Sequence, residues 1–121
     1  MNIRKPTDYT TLFTALDAAV AAQLPQMELY REIGRVVSGR VEKGAAVAAS
    51  ERLQAAYPTA EGFSPRNVRR MRAFYVAYEK TSEIIRLAMH LGWTRNVAIL
   101  WLLTISLRAS THRSVHSISR V

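Results

Sequence analysis

Four arginines crowd one short stretch of this chain: Arg66, Arg69, Arg70 and Arg72, within the run Gly62-Phe63-Ser64-Pro65-Arg66-Asn67-Val68-Arg69-Arg70-Met71-Arg72-Ala73-Phe74-Tyr75-Val76-Ala77-Tyr78. A guanidinium group is permanently charged and presents a planar fork of donors that matches phosphate oxygens. The spacing predicts how these groups are displayed. Val68, Met71, Tyr75 and Tyr78 recur at intervals of three and four, with Phe74 at the edge of the stripe, which is the signature of an amphipathic helix. At ~100° per residue, Arg66, Arg69 and Arg70 fall opposite that stripe and Arg72 at its border. No acidic residue lies between Glu61 and Glu79 to neutralise them.

The start of this helix can also be read from its residues. Ser64 is suited to cap it by accepting from a backbone N–H two or three residues on. Pro65 then takes the first helical position, where its missing N–H has no consequence. The predicted nucleic-acid contact set is Ser64, Arg66, Asn67, Arg69, Arg70 and Arg72, with Ser64 and the helix N-terminus offering donors to a phosphate. Asn67 has two readings: it reaches a base edge, or it ties down the preceding turn. Its place toward the apolar side favours the second. For the arginines the competing reading is a solvated helix face.

Other chemistries find little support. A metal-dependent nuclease core needs clustered carboxylates to hold a hard cation. This chain has Asp8, Asp17 and seven scattered glutamates, none followed two positions later by lysine. A Ser-His-Asp triad is not framed either, because the histidines lie at positions 90, 112 and 116 and both aspartates lie near the start. His112 and His116 have the i, i+4 spacing of a helical metal pair but lack a third ligand. No glycine-rich phosphate loop occurs. The expectation is a non-enzyme with no cofactor and no metal.

The totals set the frame. A chain of 121 residues fits one domain with a real core. Its net charge of +8 favours an anionic partner, nucleic acid before a membrane surface. There are no cysteines, which excludes disulfides and fits a reducing cytoplasm. The longest apolar run, Val97 to Leu107, falls short of the ~20 residues a membrane span needs, so no membrane is expected as a partner.

Helices must position the arginines. Residues 7–23 read as the first, with Tyr9, Leu12, Leu16, Ala19, Val20 and Gln23 inward. Residues 26–43 form the second, with Leu29, Ile33, Val36 and Val37 on one face and Tyr30 beside them. Gly34 inside that pattern costs ~1 kcal/mol relative to alanine, and either admits a neighbouring helix or is simply tolerated. Residues 45–57 form an alanine-rich third helix with Val47, Leu53, Ala56 and Tyr57 inward, stopped by Pro58. The turn that follows joins it to the arginine helix in the outline of a helix-turn-helix, although it exceeds the three or four residues usual there. Residues 80–91 carry Ile84, Ile85, Leu87, Ala88 and Leu91, with His90 at the core edge. Gly92-Trp93 marks a break, and Thr94 or Asn96 caps a last helix through Leu107 that is apolar nearly all round. Trp93 and Trp101 read as core or interface aromatics. The tail, 108–121, reads as basic and poorly ordered.

The runs Leu29-Tyr30-Arg31-Glu32-Ile33-Gly34, Leu53-Gln54-Ala55-Ala56-Tyr57-Pro58 and Gly62 through Tyr75 resemble the N-terminal domain of the bacterial YhcG family. The likeness covers roughly residues 9–103. Full-length members of that family resemble two-part proteins, a helical N-terminal domain proposed to be a winged helix-turn-helix followed by a PD-(D/E)XK nuclease-fold domain. Departures include Glu42-Lys43-Gly44-Ala45, which lacks the family's tryptophan-glycine pair, and Trp93-Thr94-Arg95-Asn96, which lacks its histidine. The resemblance implies a stand-alone or truncated N-terminal domain with a DNA-linked role.

The expected protein is therefore all-α: a small helical domain of five to six helices with a helix-turn-helix-like core over 1–107, and a basic tail over 108–121. Its expected function is nucleic-acid binding, with double-stranded DNA as partner. The alternative is a protein–protein interaction or oligomerisation module, a homo-oligomer joined through the apolar C-terminal helix.

Overall fold

In the computed structural model, which describes residues 7–103, every segment with a three-or-four apolar spacing is a helix, and no strand occurs among the described residues. The elements are α1 (Thr10–Ala21), α2 (Gln26–Ser38), α3 (Ala45–Ala56), α4 (Pro65–Tyr78), α5 (Ser82–Leu91) and α6 (93–103). The tail, the end of the last helix at Leu107, and His112 and His116 lie outside the described residues. The wing implied by the resemblance has no counterpart among the described residues.

The first four helices enclose the main core. Leu12 and Leu16 of α1, Tyr30, Ile33 and Val37 of α2, Leu53 of α3, Phe63 of the connecting loop, and Val68 and Met71 of α4 are buried together. Burying each such aliphatic or aromatic side chain contributes about 1.5–3 kcal/mol. On α3 the inner positions are Ala45, Ala46, Ala49, Ser50 and Leu53, not Val47, Ala56 and Tyr57. Four of these five are small, which lets α3 lie close against its neighbours, while Val47 and Tyr57 are half-buried and Ala56, at the helix end, is exposed. On α1, Gln23 is exposed with φ 53°, so it ends the helix and does not line the core.

The most extensive helix–helix packing joins α2 to α4. Gly34 makes it possible. A Cβ placed there would run into the Met71 carbonyl and sit 3.1 Å from the Tyr75 Cβ. The glycine in α2 is therefore a site of close helix approach. The same helix stops at Ser38, short of the predicted residue 43. Arg40, beyond the end, reaches back to donate to the Asp8 carbonyl at 2.8 Å and pairs with Glu42 at 3.1 Å.

A second, smaller cluster gathers Phe74, Ile85 and Ala88, with Met27, Tyr78, Met89, Trp93 and Leu100 packed against it. Trp93 touches both clusters and stands edge-on to Tyr30 and Phe74, with ring centroids 4.9 and 5.9 Å away. Asn96 does not cap α6. It is buried inside the helix, and its amide donates to the Ala88 and Gly92 carbonyls at 2.6 and 2.7 Å, tying α6 to the end of α5. His90 is exposed, because α5 turns its Ile85–Ala88 stripe inward and His90 lies away from that stripe.

Candidate nucleic-acid interface

The N-terminus of α4 is built by its own residues. Ser64 Oγ accepts from the Asn67 backbone N–H at 3.1 Å, and Pro65 occupies the first helical position. The loop before it is clamped from α3: Ser50 Oγ donates to the Phe63 carbonyl at 2.5 Å, and the Gln54 amide donates to the same oxygen at 3.0 Å. Gly62, at φ 90°, has the left-handed backbone that other residues rarely adopt, and a Cβ there would strike the Tyr30 hydroxyl. The α3–α4 connection is thus held at its α4 end despite being longer than a usual helix-turn-helix turn.

On the inward side of α4, Val68, Met71 and Phe74 are fully buried. Met71 lies at the centre of that side with Phe74 at its edge, yet Phe74 is fully buried, and Tyr75 and Tyr78, predicted inside it, are half-buried. The register shifts because Tyr75 and Tyr78 carry hydroxyls that favour a wet rim, whereas Phe74 has no polar atom to satisfy.

On the other side, Arg66 and Arg69 are exposed and Arg70 and Arg72 are half-buried. None of the four forms an ion pair among the described residues. The contrast with three other arginines is sharp. Arg35 holds Glu32, Arg52 holds Asp17 at 2.7 Å, and Arg40 holds Glu42. The hydrogen bond from Arg35 keeps the Glu32 carboxyl below its ordinary range, and the bond to Asp17 raises the Arg52 guanidinium. Glu32, Glu42 and Asp17 are thus engaged by arginines outside α4, and among the described residues no carboxylate pairs with the α4 arginines. Arg70 differs from the other three in one respect: it borders a shallow apolar cleft with Ala73, Val97, Leu100 and Trp101, so its stem lies beside α6.

Asn67 is engaged within the fold. Its amide nitrogen donates to the Gly62 carbonyl at 2.7 Å, and its amide oxygen accepts from the Trp93 indole N–H at 2.9 Å. Both ends of the side chain are occupied within the fold, so it ties down the turn. The Trp93 bond was invisible to periodicity because its partners lie 26 residues apart; only Trp93's place directly after Gly92 hinted at a packing role.

Among the described residues there is no cluster of three metal-ligating side chains. No helix is long and apolar enough to cross a membrane. What the arrangement can do chemically is bind an extended anion by charge, with a capped helix start beside it.

Comparison with known proteins gives one finding. The family profile described as the DUF1016 N-terminal domain matches residues 14–110, and it corresponds to the YhcG-family N-terminal domain. No curated protein and no solved structure matches the chain.

Proposed function

Since the chain belongs to the DUF1016 N-terminal domain family, we propose that it is a nucleic-acid-binding module and that double-stranded DNA is its ligand. One observation carries the reading: α4 holds four arginines, two exposed and two half-buried, without a carboxylate partner among the described residues, on a helix anchored from behind by fully buried side chains. Arg66, Arg69, Arg70 and Arg72 supply the charge, and Ser64 with the helix N-terminus lies where a phosphate oxygen can be received. A helix of this width fits the major groove of B-form DNA. The net charge of +8 adds long-range attraction. The resembled family's architecture, in which such a domain precedes a nuclease-fold domain, accords with a DNA-directed role. This chain supplies no catalytic constellation among its described residues.

The experiment is binding to a random duplex followed by fluorescence anisotropy while salt is raised. Affinity should fall with salt, and removing one phosphate-binding arginine by mutation should flatten the log–log slope by about 0.9. The triple variant R66E/R69E/R70E should lose binding with an unchanged circular dichroism spectrum. Unaltered affinity in that folded variant would eliminate the reading.

A second reading is a protein-interaction module whose arginines meet acidic protein residues. The observation favouring it is the end of α6, where Trp101, Leu102 and Leu103 are all more than half exposed. A homo-oligomer through this helix belongs to the same reading. Loss of self-association or partner binding on Trp101→Ser, with duplex binding absent from the wild type, would favour it.

A further inference from the structure

The inner stripe of α5, Ile85 and Ala88, accounts for only part of its apolar surface. Ile84, Leu87 and Leu91 form another stripe at intervals of three and four, and they remain 50%, 69% and 39% exposed. Taking ~100° per residue, these three lie within one narrow sector of the helix. This is the seam spacing that one helix offers another. The seam's flank carries Glu83 in the first turn, then Arg86, then His90 in the last turn, all exposed and none in an ion pair among the described residues. Glu83 and His90 stand seven residues apart, which places them on the same flank.

A flank that is acidic at one end and basic at the other complements itself when reversed. An antiparallel partner helix of the same sequence sets Glu83 of each copy beside His90 of the other, and it also opposes the two helix dipoles favourably. Polyanion binding has no use for this stripe, and with Glu83 offsetting Arg86 the flank has no net charge to draw an acidic peptide. We propose that the Ile84–Leu87–Leu91 face of α5 is a two-fold contact with a second copy of this chain, the two α5 helices running antiparallel. The contact is isologous, so it closes on itself as a dimer and does not grow into a filament. It is distinct from the α6 end. A ten-residue helix offers a short seam, so the dimer belongs to the weak, transient class, with a Kd on the order of micromolar.

The test is sedimentation equilibrium of the whole chain over a concentration series without nucleic acid, so that its outcome is independent of the DNA reading. Wild type should pass from one chain to two. Leu87→Glu, and the milder Leu87→Gln should the charge disturb the helix, should weaken the dimer by about tenfold or more with an unchanged circular dichroism spectrum, since the side chain lies outside both cores. Glu83→Lys should weaken it, and the swap E83K/H90E should restore it. A wild type that stays monomeric at the highest concentration overturns the proposal. So does dimerisation indifferent to both Leu87 variants, and a charge swap that fails to restore association overturns the antiparallel arrangement.

Discussion

Helices α4 and α5 are both short amphipathic rods, and each buries an apolar side against the rest of the molecule, but their outward sides differ in kind. On α4 three fully buried residues face inward and a guanidinium cluster faces out. On α5 two buried residues face inward and an apolar stripe faces out. The first helix repels a copy of itself and attracts a polyanion. The second has no use for a polyanion and matches a copy of itself. Under the two proposals, surfaces for separate partners sit on neighbouring helices of one small domain. The comparison also separates anchoring from display: α4 can present charge because Gly34 lets it seat deeply on α2, while α5 is held more lightly through Ile85, Ala88 and the Asn96 tether.

The largest test of that difference is truncation at matched positions. Phe74→Ala on α4 should cost about 3–5 kcal/mol, because it empties a fully buried site. Leu87→Ala on α5, measured at dilution, should stay within about 0.5 kcal/mol. Urea unfolding followed by circular dichroism gives both numbers, and equal losses would dissolve the distinction between the two helices. Gly34→Ala comes next. The added methyl meets backbone rather than a flexible side-chain end, so α2 and α4 must move apart, at a cost of about 1–3 kcal/mol. Duplex affinity should drop with it even though no arginine is touched; a Gly34→Ala variant as stable as wild type would mean that the deep seating of α4 is not what holds it.

The smallest effect is acid sensitivity. The Glu32 carboxyl is lowered first by its hydrogen bond from Arg35, so its contribution is fully present above the unfolded value of 4.5 and is lost as pH falls through the lower folded value. An exposed ion pair of this kind is worth below about 1 kcal/mol. Unfolding midpoints should therefore hold above about pH 5 and fall modestly as the pH drops below 4.5. The variant R66Q/R69Q/R70Q should show the same decline, because the α4 arginines hold no carboxylate whose protonation would release them. A flatter profile in that variant would reveal hidden pairing on the face proposed for the anion.

The local chemistry of α4 could be read directly. Ser64 and Pro65 mark its first turn, and the helix spans Pro65–Tyr78 with the serine cap in place. The rough extents of the other helices followed from their spacing and from Pro25, Pro58 and Gly92. Finer placement did not. Helix α2 ends at Ser38 with Gly39 as its C-cap, a break the glycine signals locally, whereas the Arg40 contacts to Asp8 and Glu42 beyond it are not encoded by propensity. On α4 it is Phe74, at the edge of the stripe, that is fully buried, while Tyr75 is half-buried. Asn67 looks available for a base edge until Trp93 and Gly62 take both ends of its amide.

A linear chain carries the period of its apolar residues, the breaks made by its prolines and glycines, and the gap in acidic residues between Glu61 and Glu79. Those are local quantities, and they suffice for an all-helical protein with a cationic helix face. Which of α5's two apolar stripes turns inward, why His90 is left outside, and where Gly34 and Asn67 find their neighbours are matters of packing. They depend on surfaces brought together from distant parts of the chain, where size, shape and unsatisfied polar groups choose between arrangements that the local pattern leaves equal.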